Sequence, residues 1–492
     1  MSRKFVSLLA LAIALCRSEG AAPAASAGDR PLNVLMIVVD DLNTDLGCYG
    51  SREVKSPHID RLAARGVRFN RAYCQYPLCN PSRVSFLSGR RPETSGVYGF
   101  DKSARAAVPD AVMLPQFFRQ KGYFSGGAGK IFHSPRMNDA ASWDSYVDGE
   151  GEDPQEQAAI KARYGGGDGR PSWHELDGDG SRTRDGLNVR TIARLLAEHT
   201  ATSKPFFLAA GLHKPHLPWT APRRYFAMYP RNGVAIPAEP ELRDVPAIAL
   251  QTELSGFGQP DSRAEAMRGY YACVSFADAN IGLLLDQLDQ QELWSRTIVV
   301  LLSDHGFHLG DHGGLWAKLS AFDAATRVPL IFAGAGLPEG NVVESPVELL
   351  DLYPTLLELA GFAAPAELEG RSLAPLLRGA SQPDTGRHHP ARSLVFHYDV
   401  QANRDVMGRT VITSDWRYTE WDNGSAGREL YWRPDDPEEY RNRVNDAALA
   451  GTRRRAEEIL HAGPSPKPGP AARPRALEPV NPSNAKSKDA PR

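Results

Sequence analysis

The chain has 492 residues, 42% of them hydrophobic, and a formal net charge of −2. That length supports a large core and more than one structural unit. The near-neutral balance provides no global basic field, which disfavours nucleic acid and acidic membranes as partners, so any anion recognition must be local.

Residues 1–27 read as an export signal: Arg3-Lys4, an apolar stretch from Phe5 to Leu15, then Ala25-Ser26-Ala27 before Gly28. The stretch is too short to span a membrane, and no other transmembrane candidate is visible. Leu15 is larger than the residue that usually precedes a lipoprotein cysteine, so soluble export, periplasmic or secreted, is expected. Without the signal the chain keeps Cys48, Cys74, Cys79 and Cys273, too few and too uneven for a disulfide framework. Cys48 and Cys273 read as buried thiols, whereas Cys74, close to Cys79, suits either core packing or an oxidation-sensitive pairing.

Leu32 to Val39 is a continuous apolar run that reads as a buried strand, and it ends in Asp40-Asp41. Adjacent carboxylates repel each other, and a bound cation relieves that repulsion. Thr297 to Leu302 repeats the arrangement and ends in Ser303-Asp304-His305-Gly306. Two apolar strands ending in acids suggest one metal site at the carboxyl edge of a parallel sheet. Asp40, Asp41 and Asp304 offer hard oxygen donors, and His305 completes a mixed ligand set.

Between these strands lies Cys79-Asn80-Pro81-Ser82-Arg83, followed by Val84 to Ser88 and Gly89-Arg90. A proline two residues after Cys79 suits a helix start, whose free N–H groups can face an anion. The stretch resembles the signature of the type I sulfatases of the alkaline phosphatase superfamily. The resemblance implies that a formylglycine-generating enzyme oxidises Cys79 to formylglycine, which is hydrated in the site and also lies against the metal. One hydroxyl of the hydrate attacks sulfur as the alcohol leaves, and the second collapses to the aldehyde and expels sulfate. A serine could perform only the first half. The resemblance further implies one calcium ion on Asp40, Asp41, Asp304 and His305.

Further segments fit the same family in order. Gly122 to Gly127 reads as a strand leading into Gly129-Lys130-Ile131-Phe132-His133. Pro205 to Gly211 leads into His213-Lys214-Pro215-His216, and Leu315-Trp316-Ala317-Lys318 follows Asp304. By the resemblance, Lys130, His133, His216 and Lys318 line the sulfate pocket and Arg83 holds the hydrated aldehyde. Asp304 takes the proton of the attacking hydroxyl, and His133 assists breakdown of the sulfated hydrate. His216 and Lys318 face the bridging oxygen, with His216 the first choice of general acid. Arg90, Arg91, Lys214 and Arg409 remain open as ligands for a second anionic group or as plain surface charge.

Residues 31–385 carry the alternating strand and helix patterns of an α/β catalytic domain, a large and mostly parallel sheet flanked by helices. Residues 134–185 form a Gly- and Asp-rich insertion, expected to be a long loop and a substrate rim. Met267 to Leu288 reads as a helix, and so does Val347 to Ala360, with Asp351 on a solvated or capping face. Ser393 to Tyr398, Thr410 to Thr413, Trp416 to Trp421 and Glu429 to Tyr431 read as strands, and Asp446 to Leu460 as a helix. Residues 390–462 therefore form a small α+β subdomain. Residues 463–492 are poor in apolar side chains and read as a disordered tail.

Gly129 to His133, His213 to His216, Asp304 to Gly306, Trp316 to Ser320 and Arg417 to Trp421 are most similar to the iduronate-2-sulfatase branch. That similarity implies an exo-acting enzyme on sulfated polysaccharide or glycosaminoglycan ends. Two alternatives share the fold: a phosphonate monoester or phosphodiester hydrolase, and an inactive carbohydrate-binding homologue. The lysine and histidine set favours sulfate over the first, and the full complement of pocket residues disfavours the second.

Overall fold

The computed structural model describes residues 31–149, 151–164, 172–200, 202, 204–230, 234–252, 260–379, 390–399, 402–464 and 478–479. Among these residues nine strands form the main sheet. In chain order they are β1 (Asn33–Val39), β2 (Gly66–Tyr73), β3 (Phe124–Gly129), β4 (Ser145–Val147) and β5 (Phe206–Leu212). They continue with β6 (Thr297–Ser303), β7 (Arg327–Ala333), β8 (Asn341–Val343) and β9 (Val347–Glu348). The spatial order is β8-β2-β7-β6-β1-β5-β3-β4, with β9 also paired to β2. Every pairing is parallel except those of β7, which runs antiparallel to β2 and β6.

Alternation along β1 explains the layers. Leu35, Ile37 and Val39 pack on one face with α1 (Pro57–Ala64), while Val34, Met36 and Val38 pack on the other with α2 (Cys79–Ser88). The first face is completed by the helices Arg184–Thr200 and Pro260–Gln290, the second by Leu114–Gln120 and Leu352–Leu359. Strands covered on both faces have no solvent side, which is why they read as unbroken apolar runs. Val39 is in register with both Leu212 and Ser303, so β1, β5 and β6 end at one level. Gly129, at φ +79°, brings β3 to the same edge; a Cβ there would lie 2.0 Å from the Gly211 carbonyl.

The C-terminal strands β10 (Ala391–Asp399), β11 (Arg404–Ile412), β12 (Trp416–Trp421) and β13 (Gly427–Trp432) form an antiparallel sheet in sequential order. One face packs Val411, Tyr418 and Leu430 against the helix Ala450–His461. The other packs Phe396, Trp421 and Tyr431 against Tyr76, Leu78, Leu319 and Phe322. It therefore braces the segments that carry Cys79 and Lys318, and both sheets belong to the compact unit that begins at Leu32.

Several expectations need correction. The insertion is not one long loop: it contributes β4 to the main sheet, the helix Pro154–Tyr164 and a short strand, Trp173–Leu176, paired with Trp219–Pro222. The strand expected over Gly122 to Gly127 begins two residues later, because Gly122 adopts φ +87° in the turn before it. Val347 to Ala360 is not one helix: β9 and a 3-10 turn, Leu349–Asp351, precede the helix. Asp351 is buried rather than solvated, and of the two alternatives it caps: it accepts from the Glu348 N–H in a capping box, at 3.0 Å, and from the Arg371 N–H at 2.8 Å. Cys48 is half-buried rather than fully buried, whereas Cys273 and Cys74 are buried free thiols. In the tail, Glu478–Pro479 pairs with Gln251–Thr252, so that dipeptide is ordered against expectation. The export signal and most of the tail lie outside the described residues.

Candidate active site

The polar residues that follow β1, β3, β5 and β6 meet the N-terminus of α2 at the carboxyl edge of the sheet. Cys79 is the first residue of α2, after the extended Leu78, so the first-turn N–H groups have no intrahelical acceptor. Asp41 turns the chain out of β1 at φ 62°, and Ala317 and Leu319 flank Lys318 at φ 70° and 60°. Non-glycine residues rarely adopt this region, and clusters of them gather at functional sites. Tyr270, from the long helix Pro260–Gln290, donates to the Asp41 carbonyl at 2.8 Å and accepts from the Asn43 N–H at 2.9 Å, fixing that turn.

The structure brings Asp40, Asp41, Cys79, Arg83, Lys130, Asp304, His305 and Lys318 together, each at most 5% exposed. Lys318 Nζ donates to Asp41 Oδ1 at 2.6 Å and to Cys79 Sγ at 3.2 Å. His305 Nε2 lies 3.3 Å from Cys79 Sγ, 3.4 Å from Asp41 and 3.6 Å from Asp304. Lys130 Nζ donates to Asp40. One ligand atom each from Asp40, Cys79, Asp304 and His305 lies within 4.8 Å of the others, and so does a second set of Asp40, Asp41, Cys79 and His216.

Arg83, which the resemblance assigns to the Cys79-derived hydrate, bonds acids and carbonyls around the site. Nε donates to Asp304 at 2.9 Å, Nη2 to Asp40 at 3.1 Å, and Nη1 to the Lys130 and Ile131 carbonyls. The guanidinium thus ties the Asp40 and Asp304 carboxylates to the loop after β3.

Charge crowding sets the electrostatics. Burial pushes Asp40 up, but Lys130 and the other cations outweigh it and hold the carboxyl well below its ordinary range. Burial pushes Asp41 up to about 7, with Lys318 opposing and Asp40 adding to the rise. Burial lowers His305, yet Asp304 and Cys79 together outweigh it and lift it to about 9. Each of the two ligand sets offers two carboxylates, an imidazole nitrogen and the residue-79 position, a mixed donor set that could hold a divalent cation. Cys79 sits among ammonium and imidazole donors, surroundings that suit oxygen atoms in place of sulfur.

Above this floor opens a cavity of about 340 Å³. His133 and His216 line it, both half-buried, together with Phe100, Asp148, Arg184, His213 and Lys214. Burial and then the Lys130 charge depress both histidines, His133 to about 3 and His216 well below its usual value. His216 Nδ1 lies 2.7 Å from the Leu217 carbonyl. Of the four candidates for a second anion site, Lys214 reaches the cavity wall. Arg91 pairs with Glu348, and Arg90 and Arg409 bond carbonyls of Glu367 and Leu460.

Four supporting residues had no readable signal in the sequence. Tyr270 is one. Asp185 accepts from the His213 and Lys214 N–H groups, both at 2.8 Å, and shapes the turn after β5. His397 of β10 places its ring nitrogens 2.6 Å from the carbonyls of Leu319 and Ile248, beside the Lys318 segment. The fourth, Asp148, follows β4 and lines the cavity.

The family model described as sulfatase matches residues 32–362. The chain belongs to the sulfatase family. A second model, N-sulphoglucosamine sulphohydrolase, C-terminal, matches residues 310–462. The sulfatase is 32% identical to human iduronate 2-sulfatase over 525 residues, covering 88% of this chain and 94% of that protein. It is also 32% identical to a sulfatase of Formosa agariphila over 472 residues, covering 91% of this chain and 89% of the relative. It is therefore a sulfuric ester hydrolase.

Among solved structures, the phosphonate monoester hydrolase of Agrobacterium radiobacter superimposes with a TM-score of 0.70 at 21% identity, over 88% of this chain and 95% of that one. A protein solved with its substrate D-glucosamine-2-N,6-O-disulfate gives 0.68 at 20% identity, over 88% and 97%. These likenesses show the fold alone: a mostly parallel sheet between helices with a small antiparallel C-terminal sheet. No helix among the described residues is long and apolar enough to cross a membrane.

Proposed function

We propose that the enzyme is exported and removes sulfate from the end of a sulfated saccharide, using Cys79 matured to formylglycine and one calcium ion. The observation that carries this reading is the position of Cys79 Sγ. It lies at the first turn of α2, on the floor of the cavity, 3.2 Å from Lys318 Nζ and 3.3 Å from His305 Nε2. The saccharide substrate is supported by the relatives, which include iduronate 2-sulfatase, and by a neighbour solved with a sulfated glucosamine. A pocket of about 340 Å³ walled by the 134–185 segment suits one terminal ring, as exo action requires.

The matured residue 79 supplies two hydroxyls, one to attack sulfur and one to release sulfate. Asp40, Asp41, Asp304 and His305 would hold the calcium, which supplies positive charge against the sulfate oxygens. Lys130 and Lys318 bind those oxygens in a largely desolvated pocket, where preorganised charge is most effective. Arg83 keeps Asp40 and Asp304 in place. Asp304 accepts the proton of the attacking hydroxyl. His133, neutral at its depressed value, is in the basic form needed to assist breakdown of the sulfated residue. His216 faces the leaving oxygen as general acid. Burial, and then the Lys130 charge, keep the free imidazole deprotonated, and the negative charge of a bound sulfate ester favours its protonated, acid form.

The test is the mass of the peptide containing residue 79, from protein produced with a formylglycine-generating enzyme, together with kcat/KM for an aryl sulfate and an aryl phosphonate. Aldehyde at position 79 and preference for sulfate are expected. Full activity with an unmodified thiol, or faster cleavage of the phosphonate, overturns the reading.

A further inference from the structure

The cavity wall opposite the lysines carries an acid that the sulfate chemistry does not use. Asp148, just beyond β4, has a side chain only 2% exposed, and its Oδ1 accepts no hydrogen bond among the described residues. Across from it stands His213, whose Nε2 is 3.9 Å from Asp148 Oδ1. The other face of that ring is occupied, because Nδ1 lies 3.2 Å from Asp185 Oδ1. Asp185 also accepts two backbone N–H bonds, and although burial opposes it, the bond from His213 and those N–H groups hold it ionised. The imidazole proton therefore sits on Nδ1, and Nε2 presents a lone pair.

Two acceptors thus face each other 3.9 Å apart, too far for a direct bond, and Asp148 Oδ1 meets no donor among the described residues. A buried acceptor left unmet costs about 1–3 kcal/mol, so this spot is built for a donor from outside. A ligand hydroxyl, or a water that such a hydroxyl could replace, would meet that need. Nearby, Phe100 is 44% exposed and stacks on His133 with ring centroids 4.5 Å apart, offering an apolar platform on the same cavity.

We infer that Asp148, oriented opposite His213, is a specificity residue that accepts a hydrogen bond from a free hydroxyl on the sugar ring beside the sulfated carbon. The inference rests on the sulfatase reading above and names the substrate feature that the site selects. A second sulfate ester or a carboxylate at that ring position would meet the buried carboxylate and be rejected. A hydroxyl meets an unfilled acceptor, the arrangement that discriminates most sharply against an analogue lacking the group.

The matured, calcium-loaded wild type, Asp148→Ala and the isosteric Asp148→Asn are compared on 4-nitrophenyl sulfate and on a panel of monosulfated mono- and disaccharides. Each saccharide is paired with its analogue lacking the neighbouring hydroxyl. Wild type should lose about 10- to 100-fold in kcat/KM on removal of the hydroxyl, the range expected for one buried hydrogen bond. Asp148→Ala should lose a similar factor on the parent saccharide, at least tenfold beyond its loss on 4-nitrophenyl sulfate, and should no longer distinguish the two analogues. Asp148→Asn, which keeps one acceptor oxygen, should fall between them. Equal losses on aryl and saccharide substrates, or continued discrimination by Asp148→Ala, overturns the inference. Cleavage of the aryl sulfate but of no saccharide overturns it while the sulfatase reading stands, and cleavage of neither by wild type overturns both.

Discussion

Among the buried charge clusters of the described residues, one at the sheet edge opens onto the cavity and one behind the Lys318 segment does not. At the edge, Asp40, Asp41 and Asp304 face Arg83, Lys130, Lys318 and His305. Behind the Lys318 segment, Arg417 and Arg433 face Asp323, Glu429 and Glu439. In the second cluster the cations are planar forks. Arg433 grips Asp323 with two bonds, at 2.8 and 2.5 Å, and Arg417 lies between the rings of Phe322 and Tyr431, 4.9 and 4.5 Å from their centroids. In the first, two of the cations are lysines on a cavity wall, with a thiol among them. Similar charges serve different ends. The arginine cluster fixes the C-terminal sheet to the segment after Lys318, and the lysine cluster keeps point charges available to an incoming anion.

The largest expected effect breaks the first cluster. Asp304→Ala removes a proposed metal donor and the partner of Arg83 Nε. Activity on an aryl sulfate should fall by about 10³-fold or more, the scale of losing a preorganised charge from a reaction site. Calcium content should fall with it, while far-UV circular dichroism stays native. A metal-free variant or wild type with full activity would contradict the assignment.

Breaking the second cluster should act on stability instead. Arg417 is 0% exposed and lies 2.9 Å from Glu439, so Arg417→Ala leaves buried carboxylates uncompensated. A loss of about 3–5 kcal/mol is expected, read as a lower unfolding midpoint in urea. At low temperature, where the variant remains folded, kcat/KM on an aryl sulfate should fall less than tenfold. A collapse of activity in a variant of unchanged stability would show that the two clusters are not separate in function.

The first cluster was largely legible in the sequence and the second was not, for a physical reason. Strands β1, β5 and β6 are covered on both faces, so each is an uninterrupted apolar run, and the polar residues that follow mark the sheet edge directly. Cys79 and Arg83 share one helix turn and carry their own pattern. Arg417, Arg433, Asp323, Glu429 and Glu439 come from separate elements and look like ordinary surface charge until the C-terminal sheet packs down. The same holds for Asp148: its strand, β4, is three residues long and exists because β3 offers an open edge. Tyr270, Asp185 and His397 also take their meaning from what they face rather than from their neighbours in sequence. Arg83 was legible as a member of the site, but its partners were not, since its bonds to Asp40 and Asp304 depend on three elements meeting.

A carboxylate held by backbone amides rather than by an ion pair sharpens the contrast, with the smallest effect. Asp278 is 1% exposed on the inner side of the helix Pro260–Gln290 and accepts bonds from the His58 and Ile59 N–H groups at 2.8 to 3.2 Å, at the start of α1. Burial outweighs those bonds and lifts its pKa to about 7. In the unfolded chain the group loses its proton near pH 3.9 or so. Between these values the unfolded state binds fewer protons than the folded one, so stability falls as pH rises through the window. Asp278→Asn has no proton to lose and should lack that part of the slope. Between pH 5.5 and 7 its stability relative to wild type should therefore rise by about 2 kcal/mol, at 1.36 kcal/mol per unit. Urea titrations of both proteins across that range give the difference. A constant offset would mean that Asp278 is already ionised at pH 5.5, held so by the amide groups of α1 and the more distant Arg61 charge.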